Sequence, residues 1–188
     1  MLKYTGHPLF DVGAATIGAF LRKRDLSTVT VEDLEQVADY LAKQYTVDPL
    51  KTFLTVAFPN SGYVQAAYAK RLDKRMEYAI QVLKAFEPDR PKLGMKCVFT
   101  GEPAVAVAFR QHMPLVTGED IINFHPNASA GLPVSGIALL CIQAFPMGCA
   151  KCGGRLLAVH SDNNDLTFDF ARKFLEYNRK ALSLAQAA

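Results

Sequence analysis

Pro88-Asp89-Arg90-Pro91-Lys92-Leu93-Gly94-Met95-Lys96-Cys97-Val98-Phe99-Thr100-Gly101-Glu102-Pro103-Ala104-Val105-Ala106-Val107-Ala108-Phe109 divides the chain into two textures. Before it, apolar residues recur at helical spacing. Within it, the short apolar runs 97–99 and 105–109 flank Thr100-Gly101-Glu102-Pro103, which predicts two strands of a small sheet joined by a turn. Pro88 and Pro91 end the helical part, because proline lacks the amide a continuing helix needs. The fold class expected is α+β: a helix-rich domain with a small sheet and a degenerate or partial zinc-finger-like cysteine module.

On the N-terminal side, Asp11 is expected to cap a first helix carrying Val12, Ile17, Phe20 and Leu21. Thr30 with Asp33 marks a second start, continued by Leu34, Val37, Ala38 and Leu41. Asp48-Pro49 opens a third, with Leu50, Phe53, Leu54 and Phe58 turned inward. After Pro59-Asn60-Ser61-Gly62 a longer helix is expected over 64–86, with Leu72, Met76, Ala79, Ile80 and Leu83 on its apolar face. On the other side, 134–145 reads as a mostly buried helix and 156–159 as a strand. A terminal helix over 166–184 would pack through Phe170, Phe174, Leu175 and Leu182. The expected organisation is a helical region over 1–90, a small cysteine-containing α+β region over 91–165, and a C-terminal helix over 166–188 packing on the rest.

Half of the 188 residues are apolar, which is ample for a core and argues against wholesale disorder. Twenty-one basic against 18 acidic side chains leave a formal charge of +3, too small to identify a nucleic-acid partner. No window approaches eighteen consecutive apolar residues, so no membrane span is expected. The opening Met1 to Gly6 lacks the apolar run and cleavage site of a secretory signal, which makes the cytoplasm the expected compartment.

The strongest local chemical signal is Cys149-Ala150-Lys151-Cys152-Gly153-Gly154. Two thiolates at this spacing can share a tetrahedral metal, with Cys97 and Cys141, or His125 or His160, completing a structural zinc site. The same spacing also suits free thiols in a glycine-rich turn, or a redox pair activated by a nearby positive charge. No Gly-x-Ser-x-Gly elbow, HExxH pair or phosphate-binding loop occurs, and no catalytic residue is assigned. Asp162, Asp165 and Asp169 form an acidic cluster in which helix capping by the first two is favoured over a two-metal site.

Three basic clusters could meet phosphate: Arg22-Lys23-Arg24, Lys70-Arg71 with Lys74-Arg75, and Arg172-Lys173 with Arg179-Lys180. The candidate contacts are Arg22, Lys23, Arg24, Lys70, Arg71, Lys74 and Arg75. The second cluster shares one helix face, with Tyr63, Tyr68 and Tyr78 nearby as stacking candidates. Solvated helix faces explain such clusters equally well, and Asp73 and Glu77 dilute this one.

Residues 4–13, Tyr-Thr-Gly-His-Pro-Leu-Phe-Asp-Val-Gly, resemble the start of the CXXC–CXXC class of large subunits of type I, notably I-B, CRISPR interference (Cascade) complexes. Residues 125–133, His-Pro-Asn-Ala-Ser-Ala-Gly-Leu-Pro, and 152–161, Cys-Gly-Gly-Arg-Leu-Leu-Ala-Val-His-Ser, are similar to later parts of that family. These segments correspond to the N-terminal portion of a typical member. The resemblance implies a non-catalytic antiviral-defence subunit that contacts guide RNA and target-flanking DNA. It also implies neighbouring guide-backbone and end-capping subunits, and a helicase-nuclease recruited by the assembled complex. Sequence would be read by guide pairing, not by the protein. The family's first cysteine pair aligns at Cys97, with Thr100 in place of its second cysteine. Its second pair falls near Ser135-Gly136-Ile137-Ala138, which has none. A structural protein-interaction domain without nucleic-acid contact is the alternative expectation.

Overall fold

A helix can be buried on every side only if its neighbours approach closely all round, and α1 (Pro8–Leu21) has the residues for it. Gly13, Ala14, Ala15, Gly18 and Ala19 leave little side chain in the way, and residues 10–19 are all buried. Pro8 sits in the first turn, where its missing amide costs nothing. In the computed structural model, which describes residues 1–47, 50–115 and 131–187 with the side chains of 51 and 52 excepted, α1 is the axis of the domain.

The remaining helices are α2 (Val31–Tyr45), α3 (Lys51–Ala57), α4 (Leu72–Leu83), α5 (Gly136–Ala144) and α6 (Asn164–Ala187). Helix α1 packs against α5, α6 and the 3-10 turn Phe145–Gly148, while α4 joins α2 to α5. Two antiparallel two-stranded sheets complete the fold. Strand β1 (Ala106–Ala108) pairs with β2 (Leu132–Val134), and β3 (Ala150–Cys152) pairs with β4 (Arg155–Leu157). The chain is thus a helix-rich domain with small sheets. No helix among the described residues is long and apolar enough to cross a membrane.

Local chemistry accounts for several boundaries. Thr30 and Asp33 form a reciprocal capping box at the start of α2: the Asp33 amide donates to Thr30 Oγ1 at 3.3 Å and the Thr30 amide to Asp33 Oδ2 at 2.8 Å. The expected start of α3 at Asp48-Pro49 lies outside the described residues. The helix expected over 64–86 is shorter, because Ala66 and Ala67 are exposed and offer nothing to bury. A 3-10 turn (Ala66–Tyr68) stands there, and α4 begins only at Leu72. Residues 97–99 are not a strand. They enter a tight turn at Gly101 (φ 72°), with the Cys97 amide donating to Glu102 O at 2.7 Å and the Gly101 amide returning to Cys97 O at 2.9 Å.

Asp11 does not cap α1. It lies inside the helix, and its carboxylate turns back to accept from the amides of Thr5 (2.7 Å) and Gly6 (2.9 Å) and from the Thr5 hydroxyl (3.1 Å). His160 Nε2 meets the same carboxylate at 3.1 Å, so one buried group ties the N-terminal segment to the connection between β4 and α6.

A second buried polar network centres on Gln143 in α5. Its carbonyl accepts from Tyr45 Oη at 2.8 Å, its Oε1 accepts from Tyr63 Oη at 3.2 Å, and its Nε2 donates to His112 O at 2.7 Å. His112 Nδ1 accepts the Phe109 amide at 3.1 Å, and burial holds the imidazole pKa down at about 4. Because the unfolded histidine titrates near its ordinary value of 6.5, the unfolded chain binds a proton first as pH falls. Stability attributable to neutral His112 is therefore full above about pH 6.5 and is lost as pH drops to about 4, to the extent of about 3 kcal/mol. Urea unfolding of wild type and His112→Asn between pH 7 and pH 4.5 checks this, since Asn can still accept the amide but cannot titrate. Parallel pH profiles for the two proteins would contradict it.

Candidate nucleic-acid interface

The C-terminal end of α1 delivers Arg22 into a left-handed conformation (φ 59°, ψ 33°) that a non-glycine residue seldom adopts. The Arg22 and Lys23 amides close the helix onto Ala19 O (3.2 Å) and Gly18 O (2.8 Å). Alongside runs α6, packed on α1 through the buried Phe168, Ala171 and Leu175. Between them lies a groove of about 560 Å³ lined by Arg22, Arg24, Arg172 and Arg179 together with Phe20 and Phe168.

Three of the four guanidiniums are already held. Arg24 forks onto Asp165 (2.6 Å) and Asp169 (2.5 Å) and lies over the Phe168 ring at 4.6 Å. Arg172 pairs with Glu176 at 3.0 Å, and Arg179 lies over the rings of Phe20 (5.1 Å) and Tyr40 (5.5 Å). Arg22 is exposed, and no ion pair among the described residues engages it. Such exposed pairs contribute little to stability and exchange readily for another anion. Planar guanidiniums fixed by rings and carboxylates are pre-aimed donors for phosphate oxygens.

The solvent-facing side of α6, turned away from the groove-lining Phe168, Arg172 and Arg179, carries further exposed residues. Phe170, Lys173, Tyr177 and Lys180 follow one another at steps of three, four and three, so they share a stripe. All are exposed, Tyr177 at 60%. Phe170 was expected on the packed side of this helix and instead faces outward, because Phe168, Ala171, Phe174 and Leu175 already fill the α1-facing side.

The other sequence candidates are dispersed. Lys23 pairs with Asp33 and donates to Thr28 O at 3.1 Å, stitching α1 to the start of α2. Arg71 pairs with Asp73 (2.7 Å) and Lys74 with Glu77 (2.7 Å), while Lys70 is exposed and Arg75 half-buried with its Nε enclosed and unbonded. Two of the three tyrosines beside this cluster are engaged within the fold. Tyr63 is 1% exposed, and Tyr78 stands edge-on against it at 5.0 Å with its hydroxyl on Gln111 O. Asp165 and Asp169 serve Arg24; the first turn of α6 is instead secured by Asn163 Oδ1, which accepts the Asp165 amide at 3.0 Å.

The four cysteines have separate surroundings. Cys149 is buried, donates to Phe145 O at 3.2 Å, and burial pushes its thiol up to about 12. Cys152, three residues on in extended chain, is exposed, since positions at odd separation in a strand face opposite ways. The glycines after it make a tight hairpin turn with positive φ at both Gly153 (54°) and Gly154 (77°). Cys141 is enclosed in α5. Burial opposes ionisation of Cys97, but hydrogen bonds from Thr100 and Ser135 outweigh it and bring that thiol below its ordinary value. Among the described residues no three His, Cys, Asp or Glu side chains are grouped as metal ligands, so these cysteines do not fit a structural zinc site; His125 lies outside the described residues.

No protein-family model, curated protein or solved structure matches this chain.

Proposed function

We propose that this chain is a non-catalytic nucleic-acid-binding and architectural subunit of a type I-B-like CRISPR interference complex, holding guide RNA or target-flanking DNA by its backbone. The observation that carries this is the convergence of Arg22, Arg24, Arg172 and Arg179 on one groove. Guanidiniums supply sequence-independent affinity for phosphates, and exposed rings supply stacking for unpaired bases. The family's zinc is left out of this proposal, because no three ligands are grouped among the described residues.

The experiment is salt-dependent binding of the purified chain, alone and with candidate guide-backbone and end-capping subunits, to tagged guide RNA and matched target DNA. Selective binding that strengthens with those subunits is expected. Stable association with the subunits and no gain in nucleic-acid affinity would instead favour a protein-interaction domain. That second reading has its own observation, since Lys23, Arg24, Arg71 and Lys74 all have carboxylate partners within the chain.

A further inference from the structure

A second concavity lies toward the other end of α1. Phe10 and Arg22 are twelve residues apart, or about 18 Å along the helix axis. The cleft, of about 370 Å³, has Phe10 at its floor and Phe86, Val105 and Ile137 among its walls. The last three are half-buried, so apolar surface is left open to a guest. The hydroxyls of Thr100 and Ser135, 3.3 Å apart, stand in the wall as adjacent hydrogen-bonding groups.

Its rim is cationic. Lys3, Arg90 and Lys92 border the cleft against Glu87 and Glu102, and no ion pair among the described residues engages any of the three cations. This contrasts with the α4 face, where Arg71 and Lys74 have carboxylate partners. Unpaired cations around an apolar recess fit a ligand with a flat, weakly polar body and an anionic tail. The volume suits one small molecule and is too small for a length of folded chain.

We infer that this cleft binds a single nucleotide unit, its base against Phe86, Val105 and Ile137 and its phosphate at Lys3, Arg90 and Lys92. The Thr100 and Ser135 hydroxyls meet the polar edge of the base. A free mononucleotide and the phosphorylated end of a strand present the same chemistry. The cleft is separate from the arginine groove, so the two can fail independently.

Calorimetric titration with adenosine 5′-monophosphate, adenosine, inorganic phosphate and 5′-phosphorylated tetra-adenylate tests the inference. Saturable binding of the monophosphate or the tetranucleotide is expected, with adenosine and phosphate each much weaker. Arg90→Glu with Lys92→Glu, at solvent-accessible positions, weakens it at least about tenfold by removing phosphate contacts. Val105→Trp fills the recess and blocks binding without changing charge. Arg22→Glu leaves nucleotide binding in place while weakening longer strands at the groove. Equal affinity for monophosphate and tetranucleotide identifies a free nucleotide as ligand, and preference for the tetranucleotide identifies a strand end; both sustain the inference. It is overturned if neither binds saturably, if phosphate or adenosine alone binds as well as the monophosphate, or if the double reversal has no effect. Where Val105→Trp lowers the melting temperature, the double reversal keeps the test intact.

Discussion

Gly13→Ala is expected to destabilise the domain by about 3–4 kcal/mol, although alanine is the better helix former by about 1 kcal/mol. The sign is what makes the prediction informative. A Cβ at position 13 would stand 1.8 Å from the backbone oxygen of Cys141 and 2.5 Å from its carbonyl carbon. Backbone cannot rotate away as a side chain end can, so α1 and α5 must separate. Both are buried along nearly their whole length, and separation opens voids around Ile17, Leu140 and Ile142. For a domain of this size the melting temperature should fall by about 10 °C. Urea unfolding with an unchanged denaturant slope checks the free energy. A neutral or stabilising result would mean that the two helices do not meet at this contact.

The second large effect concerns binding. Arg22→Glu should weaken single-stranded RNA or DNA about tenfold at low salt and flatten the dependence of log K on log salt by about 0.7, the contribution of one phosphate contact. Arg22 is chosen because it lines the groove without an internal carboxylate to release. Reversing Arg24 would also repel Asp165 and Asp169 and so mix binding with folding. Fluorescence anisotropy across a salt series separates the two. An unchanged slope in Arg22→Glu would remove this residue from the interface.

Much of the helical scaffold is legible in the residues. The Thr30–Asp33 box announces α2, the unbroken apolar run after Ser135 announces α5, and the two glycines after Cys152 announce a turn. Features set by neighbours in space are not legible. Apolar spacing over 64–70 suggests helix, yet Gln65, Ala66, Ala67 and Ala69 are exposed and the helix waits until Leu72. Asp11 has the identity of a cap, but its position inside α1 makes it a clasp for Thr5, Gly6 and His160. Cysteine spacing suggests a shared metal, while strand geometry turns Cys149 inward and Cys152 outward.

The candidate site shows the same division. Arg22-Lys23-Arg24 and the basic residues of α6 are visible as clusters, but about 150 positions separate them. Their union depends on α1 and α6 packing side by side, for which the small residues of α1 are the available signal. Within the first cluster only geometry distinguishes Lys23, spent on Asp33, from Arg22, left open.

Arg22→Gly tests the groove most directly, with stability and strand binding measured on the same sample. Glycine relieves the left-handed backbone at the end of α1, so the domain should gain about 1 kcal/mol. The same substitution removes a guanidinium from the groove, so binding and its salt slope should fall. A protein that is more stable yet binds less well is the predicted result: an arginine kept at a glycine-favouring position for its contact with phosphate. A protein that is more stable and binds strands with undiminished affinity and slope would contradict the account.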